Sequence, residues 1–189
     1  MKARFPYVRS SHRTALLPYL AGIKTGNIFT CRFTRRSDLI ADIRRLNKIL
    51  GAKGLRILPL RIGQTSALIY LYRPQRLSQD LACREASEIL ENCGYKLAGT
   101  NQCVVNLVNR IRESGDFPHE IGLFLGYPAE DVRGFIDHNA RDFKCVGCWK
   151  VYGDEEKAKN LFAQYKNCTS CYLNQLRKGN TIEDLAVAV

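Results

Sequence analysis

Two groups of residues have side chains and spacing that point to chemistry. Cys145, Cys148, Cys168 and Cys171 form C-x2-C-x19-C-x2-C, a spacing at which four thiolates can close a tetrahedral site around zinc or another thiophilic metal such as iron. The alternative is that Cys168 packs inward and the other three are incidental. A redox C-x-x-C would place its first cysteine at a helix N-terminus to stabilise the thiolate, whereas Cys145 precedes a strand. The second group is His119 and Glu120, at the predicted start of a helix, where histidine titrates near neutrality and the dipole favours a carboxylate. They are the candidates for an acid–base or metal pair in an enzyme. Neighbours on a helix point about 100° apart, so the two need not share a target, and a capping glutamate beside a hydrogen-bonded histidine is the structural alternative.

The element that must position His119 and Glu120 is FPHEIGLFLGYPAEDVRGFID, residues 117–137. It reads as a helical hairpin. Pro118 suits a first turn, Ile121, Phe124 and Leu125 follow at helical spacing, and Gly126 is a stop. Pro128 restarts the chain, Glu130 and Asp131 suit a helix N-terminus, and Val132, Phe135 and Ile136 form the apolar stripe. Gly122, Gly126 and Val132 have the spacing of a close helix–turn–helix crossing. A groove-reading helix should be basic, yet this one sets Glu130, Asp131 and Asp137 against Arg133 alone, which favours a structural hairpin over a DNA reader.

HEIGLFLGYPAEDVRGF, together with GCWKVYGD and the earlier LAGIKTGNIF, resembles a family of bacterial proteins known only as a domain of unknown function. The resemblance spans most of the chain and implies no activity. The family pattern often has His-Cys-x-Pro where this chain has Ala15, Leu16, Leu17 and Pro18, and Gly-Tyr-Trp where it has Gly147, Cys148 and Trp149.

Charge supplies the strongest functional signal. The net +11 is uneven: residues 1–80 hold 16 Lys and Arg against 3 Asp and Glu, a balance of +13, whereas residues 81–189 hold 13 against 15, a balance of −2. Lys24, Arg35, Arg36, Arg44, Arg45, Lys48 and Lys53 concentrate this charge within residues 24–56, around one predicted helix. The partner this implies is anionic: a nucleic acid, a phosphorylated ligand or an acidic protein surface. A solvated arginine-rich surface is the plainer explanation. The reading is therefore a non-catalytic binding or regulatory protein, with a metal-binding, thiol-redox or enzymatic protein as the alternative.

At 189 residues and 46% hydrophobic content, the chain can build one substantial core. The longest uncharged run, residues 97–109, is too short and too polar to span a bilayer. The basic start has no small-residue cleavage site before Lys24, so a cytoplasmic location with reduced thiols is expected. Cys31, Cys83, Cys93 and Cys103 fall in apolar-periodic segments as small core residues.

The expected architecture is α+β, with residues 1–12 a flexible basic N-terminus and residues 13–189 one domain. Residues 13–23 suggest a short helix interrupted at Pro18. Phe29, Cys31 and Phe33 alternate as in a strand. Ser37 or Asp38 would cap a helix with Leu39, Ile43, Leu46 and Leu50 inward. Residues 55–62 and 67–72 form a hairpin whose first strand Pro59 places at an edge, while ALIYLY, apolar on both faces, belongs at the centre of a small, mostly antiparallel sheet covered by helices. Residues 75–92 and 101–113 are the covering helices, with stops at Gly94 and Gly115. A strand around Val151 would join the same sheet, and Asp154 would cap a long C-terminal helix ending near Gly179.

Overall fold

A computed structural model describes residues 17–114 and 117–188. The basic segment 1–12, the start of the first predicted helix and the predicted stop at Gly115 lie outside these residues. The fold is α+β, and its residue contacts group into two compact units, one running to Pro74 and resuming at Asn167, the other Gln75–Lys166.

The first unit is built on three strands, β1 (Gly26–Arg32), β2 (Arg56–Ile62) and β3 (Ser66–Tyr72), in antiparallel order β1-β3-β2. β3 takes the centre, as its apolar pattern requires, and pairs Ile69 with both Phe29 and Pro59. On one sheet face Phe29, Cys31, Ile57, Ala67, Ile69 and Leu71 are buried. Packed with them are Leu39, Ile43, Leu46 and Leu50 of helix α1 (Arg36–Gly51), together with Tyr172, Leu173 and Leu176 from later in the chain. On the opposite face Tyr70 and Tyr72 stack with ring centroids 4.5 Å apart. Pro59 lies on edge strand β2 where the register shifts between Pro59 and Arg61. Such a bulge lets an edge strand hold a residue with no N–H donor. Beside it, Asn47 of α1 donates Nδ2 to the Ile57 carbonyl and accepts the Ile57 N–H, both at 2.8 Å.

α1 starts differently from expectation. Arg35 is its N-cap, with no side-chain cap bond, and Asp38 lies inside the first turn, where it pairs with Arg35 Nε at 2.9 Å. Arg73, at the end of β3, is 2% exposed. Its guanidinium donates to four carbonyls, those of Tyr19 (3.2 Å), Leu20 (3.2 Å), Lys53 (3.0 Å) and Val187 (2.9 Å). A short helix, α8 (Ile182–Leu185), follows a reciprocal cap in which Thr181 Oγ1 donates to Asp184 Oδ2 at 2.6 Å and accepts the Asp184 N–H at 3.2 Å.

The second unit holds α2 (Pro74–Leu81, which starts one residue before it), α3 (Arg84–Asn92), α4 (Thr100–Ser114), α5 (Ile121–Phe124), α6 (Ala129–Asp137) and a ribbon of β4 (Cys145–Val146) and β5 (Lys150–Val151). Helix α7 (Glu155–Arg177) belongs to this unit through Lys166 and to the first unit from Asn167. Asp154 caps α7, accepting the Lys157 N–H on Oδ1 at 2.9 Å. Two expectations fail here. Residues 75–92 are two helices, because Cys83 is extended (φ −70, ψ 143) and leaves Ala82 exposed. Val151 pairs with Cys145 in the separate ribbon and not with the main sheet.

The 117–137 hairpin is present. Gly126 takes a positive φ of 74 after α5, a conformation open to glycine without a Cβ clash. Gly122 sits so close to α6 that an added Cβ would meet Val132 Cγ2 at 2.7 Å. Gly122→Ala is therefore expected to destabilise the protein by about 1–3 kcal/mol. Val132→Ala added to it should recover part of that loss, and a double-mutant cycle of urea midpoints checks this coupling.

Candidate functional site

The predicted cationic positions surround α1. Along this helix Leu39, Ile43, Leu46 and Leu50 face the core, so Arg44 and Lys48, four residues apart, fall on the opposite side and are exposed. Arg36 is exposed one residue into the helix. Arg35 and Arg45 are exposed or half-exposed but pair within their own turn, Arg35 with Asp38 at 2.9 Å and Arg45 with Asp42 at 3.6 Å. Exposed pairs of this kind contribute about 0.2–1 kcal/mol, so either arginine can exchange its carboxylate for an external anion at small cost. Lys24 lies over the Tyr19 ring, Nζ 5.0 Å from its centroid. Lys53 is half-buried, and its carbonyl is held by Arg73.

Three further exposed arginines, Arg32, Arg56 and Arg61, come from the strands. Their register places all three on the sheet face opposite α1, Arg32 across from Ser66, Arg56 from Tyr72 and Arg61 from Leu68. The sequence reading missed them because it followed the helix. Their signal was alternation with buried Cys31, Ile57 and Leu60.

His119 and Glu120 diverge. They precede α5, and Glu120 makes no side-chain cap bond. Its carboxylate turns inward, 2% exposed, and accepts the Tyr95 hydroxyl at 2.9 Å. Arg110 Nε lies 2.9 Å from the same oxygen, but its N–H is not aligned for a hydrogen bond, so that contact is Coulombic. Arg110 also donates Nη1 to the Cys93 carbonyl at 2.8 Å and lies over the Tyr95 ring. Burial, and next the Glu120 charge, push the Tyr95 hydroxyl and the Cys93 thiol above their usual pKa. Tyr95 thus stays protonated as the donor to Glu120, and Cys93 is a poor nucleophile. His119 is exposed and meets Phe135 edge-on at 5.3 Å. Both residues border a cavity of about 500 Å³ between α4 and the hairpin, with Arg110, Glu113 and Phe117 on its walls.

Cys145 and Cys148 lie in the Gln75–Lys166 unit, and Cys168 and Cys171 in the other. Among the described residues no three His, Cys, Asp or Glu side chains are grouped to hold a metal ion. Cys168 and Cys171 lie on helix α7, three residues apart. Burial, and then Cys171, raise the pKa of Cys168. Cys31 and Cys103 are buried core residues, but Cys93 is only half-buried and Cys83, expected in the core, is exposed.

Arg133, the one cation of α6, is held by Glu85 at 3.1 Å and Glu88 at 3.2 Å, and Asp131 is buried.

A family model described as Protein of unknown function (DUF3793) matches residues 14–186. The chain belongs to the DUF3793 family. The match covers both units of this DUF3793 protein and all three sequence blocks by which the resemblance was recognised. No curated protein and no solved structure matches the chain. Among the described residues no helix is long and apolar enough to cross a membrane.

Proposed function

We propose that this protein is a non-catalytic binding protein whose segment 24–56 engages the phosphate backbone of a nucleic acid. The observation that carries this reading is the exposed cations Arg36, Arg44 and Lys48 along α1, the last two on one side. At 1.5 Å per residue these cations spread over about 18 Å of the helix axis, which suits a polyanion with repeated charges better than one compact phosphate. Residues 17–74 hold 11 Lys and Arg against 2 Asp and Glu, a balance of +9. Phosphate contacts of this kind give affinity and salt dependence without sequence readout.

The test is fluorescence anisotropy with labelled single-stranded RNA and duplex DNA across a salt series. Arg44→Ala, Arg45→Ala and Lys48→Ala combined should weaken binding at least about tenfold and lower the slope of log K against log salt by about 2. Binding unchanged by the triple substitution at every salt would reject this face. Capture of polyaspartate in place of either nucleic acid would favour an acidic protein partner, and binding of a lone phosphomonoester with neither polymer would favour a phosphorylated ligand.

A further inference from the structure

A second cavity, of about 420 Å³, opens in the Gln75–Lys166 unit between the 117–137 hairpin and the β4–β5 ribbon. Its volume lies in the range of small-molecule sites. The walls are largely apolar and aromatic, including Phe117, Ile121, Tyr127, Phe135, Val146 and Trp149.

The lining is held in place. Asp131 accepts Trp149 Nε1–H on Oδ2 at 2.6 Å and the N–H groups of Tyr152 (2.7 Å) and Gly153 (2.8 Å) on Oδ1. The indole also meets the Tyr127 ring, stacked at 4.8 Å, and the Phe162 ring, edge-on at 4.6 Å. An aromatic residue held by three contacts and 8% exposed gives the cavity a preformed wall.

The cavity is also bordered by a cationic residue, Lys150. Lys150 is half-buried, donates Nζ–H to the Ala140 carbonyl at 2.7 Å, and lies over the rings of Phe143 (4.8 Å) and Phe135 (5.9 Å). An ammonium has three donors, and no carboxylate pairs with this one among the described residues. Asp131 also borders the cavity, but both its oxygens are committed to N–H groups. The loop that supplies the Ala140 carbonyl carries positive φ at Asn139 (49), Ala140 (62) and Asp142 (55). Such backbone is costly away from glycine and persists where the surroundings enforce it. Here it brings the Ala140 carbonyl to the Lys150 ammonium.

We propose that this cavity binds a small aromatic carboxylate, its ring against Trp149 and Phe135 and its carboxylate on Lys150. The chain's single tryptophan lines the cavity, so its fluorescence reports occupancy directly. The test titrates the full-length protein with 3-phenylpropanoate and its neutral isostere 3-phenylpropanamide, reading Trp149 emission and calorimetry. Saturable binding is expected, with the carboxylate at least about tenfold tighter than the amide. Lys150→Met should abolish that preference while the amide still binds, and Lys150→Arg should restore much of it. Val146→Tyr, at a position 60% exposed on the rim, should weaken both ligands without unfolding the protein. Absence of saturable binding by phenylpropanoate and by the larger 4-phenylbenzoate would overturn the proposal. So would equal affinity for acid and amide, or binding unchanged by both Lys150→Met and Val146→Tyr.

Discussion

Arg73→Met should lower the stability of the first unit by about 3–5 kcal/mol, seen as a large fall in the urea midpoint by circular dichroism. The side chain is apolar and of similar length, so the stem still packs. What disappears is a buried fork that gathers four carbonyls from residues 19, 20, 53 and 187. Each acceptor left without a donor costs about 1–3 kcal/mol, partly recovered where water enters. Arg73→Lys is the informative companion. One ammonium keeps the charge but cannot reproduce a planar fork, so the order of stability should be Arg, then Lys, then Met. A Lys variant as stable as the original would show that charge alone, and not the fork, holds these segments together.

Asp131→Ala should be comparably damaging in the second unit, at about 3 kcal/mol or more. The carboxylate ties α6 to the turn after β5 through two backbone N–H groups and to the ribbon through the indole. Alanine leaves one buried and two half-buried donors unanswered. Asp131→Asn should fall between, because the amide oxygen can satisfy one side while its NH2 confronts a donor on the other. Trp149 emission separates the outcomes. A red shift in Asp131→Ala under native conditions means the indole has lost its fixed, dry position, and an unshifted spectrum with unchanged stability would deny Asp131 this role.

The parts of the fold legible from sequence were those decided by local pattern. ALIYLY had no polar face, and β3 is central. Pro59 lacked a donor and sits at the bulge of an edge strand. Leu39, Ile43, Leu46 and Leu50 kept one period and form one buried face. Elsewhere local pattern misled. The apolar stripe across residues 75–92 appears continuous, but the step from Leu81 to Ala86 is five residues, one too many for a single helical face, and the chain breaks between them. The ribbon of β4 and β5 is too short for period 2 to announce which strand it pairs with.

The candidate sites divide in the same way. The α1 cations were visible because four residues on a helix share a side. The strand arginines were present as alternation but overlooked. The roles of Glu120, Asp131 and Lys150 depend on groups far along the chain, such as Tyr95, Arg110, Tyr152 and Ala140, and no spacing rule reaches them. His119 and Glu120 are adjacent in sequence yet serve different surroundings, one solvent and one core.

Asn47 has a consequence beyond the strand it touches. By offering the Ile57 backbone an amide in place of another chain, it fills the donor and acceptor that an incoming segment would need to extend the sheet past β2. Copies of this protein at high concentration would therefore find that border occupied at Ile57, and fibrillar stacking through that point would first have to displace a side chain anchored on a helix.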